Sequence, residues 1–332
     1  MNFDRLRATT DLDSFSMPFV LIFGSGRSGT TLVREILNQH SSINILPETG
    51  FYDRHWAGRQ WLGSPRCRDG WIRWLYYVLF ESYDPAMKQY VQYWPRLLDE
   101  FSKRPPRNPD DMFHRLTSVL GECKGKSIVG EKTPRHLMYW RRLHRCVAGA
   151  RSIITIRDPR AVVASMLKRG DLAKSAWRAA VEWRLAAEIA DQVIEEAEGK
   201  SLLVRYEDLV CDSHRVIQVL CGFLGIEFEP KMEVGVGSNS SYSLSEKAGI
   251  VSDSLDRWQV ALTGKQIEQV ERICGPRMKR YGYAISESCT HDRLSVREWM
   301  HLRRLRLEPV LGHLGVRPSR AYLRHLRCRL SW

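Results

Sequence analysis

No apolar run in these 332 residues approaches the roughly 20 needed to cross a bilayer. The run at residues 19–23 is too short, and too far from the start, for a secretory signal. A soluble, cytoplasmic chain is expected. Among eight cysteines there is no C-x-x-C pair, which excludes the usual zinc spacing and the dense bridging of a small secreted domain. Buried or incidental thiols in a reducing compartment remain. Acidic residues are comparatively scarce, 38 Asp and Glu against 51 Lys and Arg, so the net charge of +13 favours anionic partners. Lysine is missing altogether from residues 291–332, where ten arginines face Asp292, Glu298 and Glu308. That basic appendage reads either as a solvated tail or as a surface for acidic partners or membrane headgroups. Internal repeats are absent. The hydrophobic fraction of 43% is ordinary for a globular chain of one large or two modest domains.

What is present is organised around residues 18–40, PFVLIFGSGRSGTTLVREILNQH. Phe19-Val20-Leu21-Ile22-Phe23 has the apolar continuity of a strand buried on both faces. Gly24 and Gly26 supply a turn, Ser28-Gly29-Thr30-Thr31 opens a helix, and Leu32, Ile36 and Leu37 follow at helical spacing. Strand, glycine loop and helix start make an anion cradle of backbone N–H groups and the positive end of a helix dipole. A nucleotide-hydrolysing phosphate loop carries Lys after its second glycine. Here Thr30 holds that position, and the loop's cation is Arg27.

Four more short apolar strands are expected: Ile43-Asn44-Ile45-Leu46, Ser127-Ile128-Val129, Ser152 to Ile156 and Leu202-Leu203-Val204. Helices are expected at residues 109–123, 137–147, 161–168, 174–198, 213–224 and 264–281. This alternation predicts an α/β fold with a five-stranded parallel sheet flanked by helices, built on a P-loop-like motif. Residues 1–17 read as a flexible arm and 18–290 as the main domain. Within it, residues 51–107 form an aromatic-rich helical insertion containing Trp56, Trp61, Trp71, Trp74 and Tyr90. Most of these aromatics suit a core, and some an acceptor pocket. Arg27, Glu48, Lys132, Arg157 and Tyr206 each follow a predicted strand, where parallel sheets collect their ligands.

Two anion grips recur, the loop at 24–31 and Arg157 with Ser165 and Arg169. They imply a ligand with phosphates at both ends. Ser25-Gly26-Arg27-Ser28-Gly29-Thr30-Thr31 with Arg157-Asp158-Pro159-Arg160-Ala161-x-x-x-Ser165 resembles the paired signature of sulfotransferases that use 3′-phosphoadenylyl sulfate. The resemblance runs from about residue 18 to 283. It takes in Gly130-Glu131-Lys132-Thr133-Pro134-Arg135, Arg205-Tyr206-Glu207-Asp208-Leu209, Leu255-Asp256-Arg257-Trp258 and Tyr281-Gly282-Tyr283. It is strongest to tyrosylprotein sulfotransferases and to bacterial and Golgi carbohydrate sulfotransferases.

By that resemblance Gly26, Arg27, Ser28, Gly29, Thr30 and Thr31 hold the 5′-phosphosulfate, while Arg157, Ser165 and Arg169 take the 3′-phosphate. Tyr206 and Arg257 line the donor, with a further serine at Ser241 or Ser243. Glu48 matches the general base, and Lys132 the cation at the leaving oxygen. His55 is the next candidate base. The implied acceptor is a hydroxyl on a carbohydrate, a lipid or a phenol such as tyrosine. Neither nucleic acid nor a metal is expected, and the oligomeric state is left open. Tyrosine-modifying enzymes carry arginine two residues after the base, where this chain has Gly50. Two other readings stand beside this one. Asp158 at a strand end suits a magnesium-dependent P-loop kinase, and the basic surface suits a non-catalytic module for anionic ligands.

Overall fold

The computed structural model describes residues 18–52, 68–82, 84–170, 175–234, 255–286 and 294–313. The expected arm at 1–17, Trp56, Trp61, His55, Ser241, Ser243 and the appendage beyond 313 lie outside the described residues.

Five strands make one parallel sheet in the order β2-β3-β1-β4-β5. They are β1 (Phe19–Gly24), β2 (Ile43–Leu46), β3 (Ile128–Lys132), β4 (Arg151–Ile156) and β5 (Ser201–Arg205). β1, an unbroken apolar run up to Gly24, is buried along its whole length, and so is β3, although it ends in Glu131 and Lys132. β2 does not lie beside β1, as its place next in sequence suggests. β3 enters between them, pairing Ile22 with Lys132 on one side and Leu46 with Glu131 on the other. The crossover through the helix Thr30–Asn38 leaves room for one strand, and Gly130 suits that slot. A Cβ there would meet the Val20 carbonyl oxygen at 2.1 Å.

Core packing divides by face. On one side Val20, Ile22, Ile45 and Ile153 meet Leu32, Val33 and Ile36 of the helix Thr30–Asn38. On the other, Phe19, Leu21 and Phe23 meet Phe51, Trp71, Trp74, Tyr90 and Phe101, so the aromatic insertion is continuous with the sheet core. Phe51 sits 5.0 Å from Trp74 and 5.4 Å from Phe113, ring centre to ring centre. Residues 137–147 are not one amphipathic helix: a 3₁₀ segment, Pro134–Tyr139, precedes a short helix, Trp140–Cys146. Pro134 has no N–H to give, and the tighter coil places His136 inside, fully buried. The long helix spans Ala176–Glu196. Among the described residues no helix is long and apolar enough to cross a membrane.

Candidate active site at the carboxyl edge of the sheet

Every strand delivers its polar residues to the same edge. Gly24 ends β1, Glu48 follows β2 by two residues, Lys132 ends β3, Arg157 follows β4 and Tyr206 follows β5. The loop after β1 is folded by its own hydroxyls. Ser28 Oγ donates to the Ser25 carbonyl at 2.7 Å and lies 2.7 Å from Thr155 Oγ1 on β4. Arg27 takes the left-handed conformation at φ 68°, the one non-glycine residue among those described with positive φ. Such strain, about 1–3 kcal/mol, persists where its surroundings impose it. Here the Arg157 guanidinium reaches the Arg27 carbonyl at 3.4 Å and Arg27 Nε donates to Ser165 Oγ at 2.9 Å.

The helix Thr30–Asn38 begins behind Gly29, whose φ of 94° no L side chain adopts readily. A Cβ at Gly29 would also sit 2.5 Å from Tyr206 Cδ2. The same Tyr206 ring lies 4.2 Å below the Arg157 guanidinium. Loop, Arg27, Ser165, Arg157 and Tyr206 are therefore one connected cluster, and Ser165 is bonded to the first grip. Ser28, Thr30 and Ser165 are buried, and Arg157 is nearly so; Gly26, Arg27, Gly29 and Thr31 are partly open. Arg169, the last residue of the helix Pro159–Arg169, is exposed one turn beyond Ser165. Arg257 is exposed at the start of the short helix Trp258–Ala261.

The second half of the site comes from strand alternation. Successive residues of β3 point to opposite faces. Lys132 turns toward the helix Thr30–Asn38, where Nζ donates to Thr31 Oγ1 at 3.2 Å and to Glu48 Oε1 at 2.6 Å. Its side chain is 1% exposed and that of Glu48 21%, so the carboxylate is partly open to solvent while the ammonium is buried. Glu131 turns the other way and is fully buried. It accepts from Thr49 N at 3.1 Å, Thr49 Oγ1 at 2.8 Å and Thr133 Oγ1, and pairs with His136 Nδ1 at 2.9 Å. The Tyr52 amide donates to His136 Nε2 at 3.2 Å, which fixes Nδ1 as the protonated nitrogen. Burial alone would raise the Glu131 carboxyl, but His136, Thr133 and Thr49 outweigh it and hold it below the ordinary range. This buried frame clamps residues 49–52 and so sets where Glu48 stands.

The kinase reading required Asp158 as a magnesium ligand. Its carboxylate instead caps the helix Pro159–Arg169 at Arg160 N, 2.8 Å, and grips the Arg160 guanidinium at 2.6 Å. Arg160 continues to Glu271 at 2.8 Å and lies 4.1 Å from the Trp258 ring. Among the described residues no group of three or more His, Cys, Asp or Glu forms a metal site. Glu207 accepts from Asp158 N at 2.9 Å and from the Tyr283 hydroxyl at 2.9 Å; burial raises its carboxyl. The distant motif at 281–283 thus braces the second anion grip. Sequence reasoning missed two participants: Thr155, the hydroxyl across from Ser28, and Asp84, which accepts from Glu48 N at 3.0 Å. Asp84 carried only the signal of Asp before Pro, a helix-capping pair.

A family model described as the sulfotransferase family matches residues 18–230, roughly two thirds of the chain. Carbohydrate sulfotransferase 3 of Tetronarce californica is 27% identical over 216 residues, covering 55% of this chain and 48% of that protein. This chain therefore spans about half the length of that relative. Protein-tyrosine sulfotransferase 1 of Danio rerio is 25% identical over 80% of this chain and 72% of its own. In fold, the sulfotransferase domain from the curacin biosynthetic pathway superposes with a TM-score of 0.57 at 19% identity, covering 82% of this chain and all of that one.

Proposed function

The chain belongs to the sulfotransferase family, and from that premise we propose that it moves a sulfuryl group from 3′-phosphoadenylyl sulfate to an acceptor hydroxyl. The cradle fits such a donor. A Cβ at Gly24 or Gly29 would sit 2.5 Å from Thr155 Oγ1 or from Tyr206, so the loop closes against these groups only with bare backbone at both positions. Gly26, Arg27, Ser28, Gly29, Thr30 and Thr31 would hold the 5′-phosphosulfate, and Arg157, Ser165 and Arg169 the 3′-phosphate, with Tyr206 and Arg257 beside it. When bound, the donor supplies a sulfuryl group whose bond to phosphate breaks as the acceptor oxygen bonds to sulfur.

The observation that carries the reading is the pairing of two carboxyl-edge clusters. Glu48 on Lys132 at 2.6 Å stands beside Arg27, Ser165 and Arg157 around one loop. Glu48 takes the acceptor's proton, since its carboxylate is partly open to solvent while its backbone is anchored. Arg27, Lys132 and the loop amides neutralise charge on the transferred and leaving oxygens, by analogy with phosphoryl transfer. They do so without a metal. Acceptors are hydroxyls of the carbohydrate, lipid or phenolic class. The relatives' own names, a carbohydrate and a protein-tyrosine sulfotransferase, span two of these. With Gly50 two residues beyond the base, in place of the arginine of the tyrosine enzymes, protein tyrosine is the less favoured.

Glu48→Gln tests the base. The amide keeps the shape but cannot take a proton, so single-turnover transfer should fall by roughly 10²–10⁴. Binding of adenosine 3′,5′-bisphosphate by calorimetry should stay within a factor of a few. Wild-type turnover in the variant would remove Glu48 from the role, and His55 would be examined next.

A further inference from the structure

Lys132 is almost wholly buried, yet two carboxylates stand within its reach. One is Glu48, at 2.6 Å; the other is Asp84 Oδ2, at 3.9 Å. Asp84 comes from the aromatic insertion. Its two oxygens are divided between tasks. Oδ1 caps the 3₁₀ segment Pro85–Tyr93 through Ala86 N at 3.0 Å, and Oδ2 accepts from Glu48 N at 3.0 Å. Ser82 ties the same turn together, donating to the Glu48 carbonyl at 3.2 Å and accepting from Asp84 N at 3.2 Å. Among the described residues, the other charges around Asp84 are Arg34, 3.8 Å away on the helix Thr30–Asn38, and its partner Glu35.

A lysine that must serve a leaving oxygen cannot stay paired with the base, and an ammonium left alone in a buried site is costly. Resting on the reading above, we propose that Asp84 is a positioning residue for the transfer. It fixes the backbone of Glu48 and holds the charge of Lys132 when that lysine leaves the carboxylate of Glu48. Because Asp84 also caps the first helical turn after Ser82, the aromatic layer and the base share one anchor. The insertion is thereby built into the catalytic machinery, beyond its part in the core.

Asp84→Asn removes the charge together with one of the two acceptor oxygens, whereas Asp84→Glu keeps both. Asparagine caps helices as well as aspartate does but has a single acceptor oxygen, so it keeps the Ala86 cap and gives up the bond from the Glu48 amide; the melting temperature should fall modestly. Loss of the negative charge should make Glu48 ionise more readily and Lys132 lose its proton more readily. Both limbs of the pH–rate profile for transfer should then move to lower pH. The rate on the plateau should drop several-fold, as expected for a weaker base, with affinity for adenosine 3′,5′-bisphosphate retained. In the free protein, the labelled Lys132 ammonium, followed by NMR against pH, should titrate lower in the variant. Asp84→Glu should restore part of the rate. An unmoved profile with an unmoved Lys132 titration would overturn the proposal. So would a loss seen only in Asp84→Ala, in step with melting temperature, since that marks a cap and nothing more. If wild type transfers no sulfuryl group at all, the functional reading fails, and the Lys132 titration still decides the role of Asp84.

Discussion

Lys132 has the neighbours of a lysine with a task. A buried ammonium on a short strand would be a liability unless paired, and here Glu48 at 2.6 Å and Thr31 at 3.2 Å receive it. Its position was readable from the sequence as the residue after an apolar run, but its burial was not. Strand alternation sends Glu131 and Lys132 to opposite faces, and which face is solvent depends on the layers packed later. Arg157 is a second case. Its guanidinium stacks on Tyr206 at 4.2 Å and reaches the Arg27 carbonyl, so it is held in place before any ligand arrives. Arg157→Ala should weaken binding of adenosine 3′,5′-bisphosphate by about 1.5–3 kcal/mol, the worth of a hydrogen bond to a charged group. Calorimetry showing no change would take Arg157 out of the 3′-phosphate grip.

At the scale of elements, the strands were legible because each is a compact apolar run between turn residues, and parallel burial demands such runs. Their order was not. β2 pairs with β3, more than eighty residues away, and nothing local in Ile43-Asn44-Ile45-Leu46 records that partner. The frame under Glu48 was hidden for the same reason. Glu131, Thr133 and His136 lie together in sequence, but the residues they hold, 49–52, follow β2, some eighty residues earlier in the chain. Glu131→Gln should leave His136 or Thr133 badly matched in a sealed site and cost about 1–3 kcal/mol of stability. The pH dependence follows from the lowered carboxyl of Glu131. Its stabilising effect is full above the ordinary glutamate value of about 4.3 and is lost as pH falls through the lower native value. Denaturant melts of both proteins should therefore differ most at neutral pH and converge in acid. A gap that stays constant down to the acid limb would contradict that assignment. Because Thr49 adjoins Glu48, turnover should fall along with stability.

For the molecule as a whole, fold and site coincide at one edge. The five strands bring Arg27, Glu48, Lys132, Arg157 and Tyr206 to that edge, an arrangement the sequence disclosed through the paired loop and arginine motifs. What it withheld was the contribution of the insertion, because Asp84 acts through a backbone amide and a lysine distant in sequence. The net charge of +13 accords with an anionic donor. Arg27, Lys132 and Arg157 supply cation charge at the carboxyl edge, and Asp158, bound up with Arg160 as a helix cap, is already committed to structure. The most direct test is transfer of labelled sulfate from 3′-phosphoadenylyl sulfate by the full chain, in excess EDTA, across sugars, phenols, tyrosine peptides and lipids. Label should appear in one acceptor class, undiminished by the chelator and reduced by at least a hundredfold in Glu48→Gln. No label in any class, with magnesium-dependent phosphoryl transfer from ATP instead, would contradict the account.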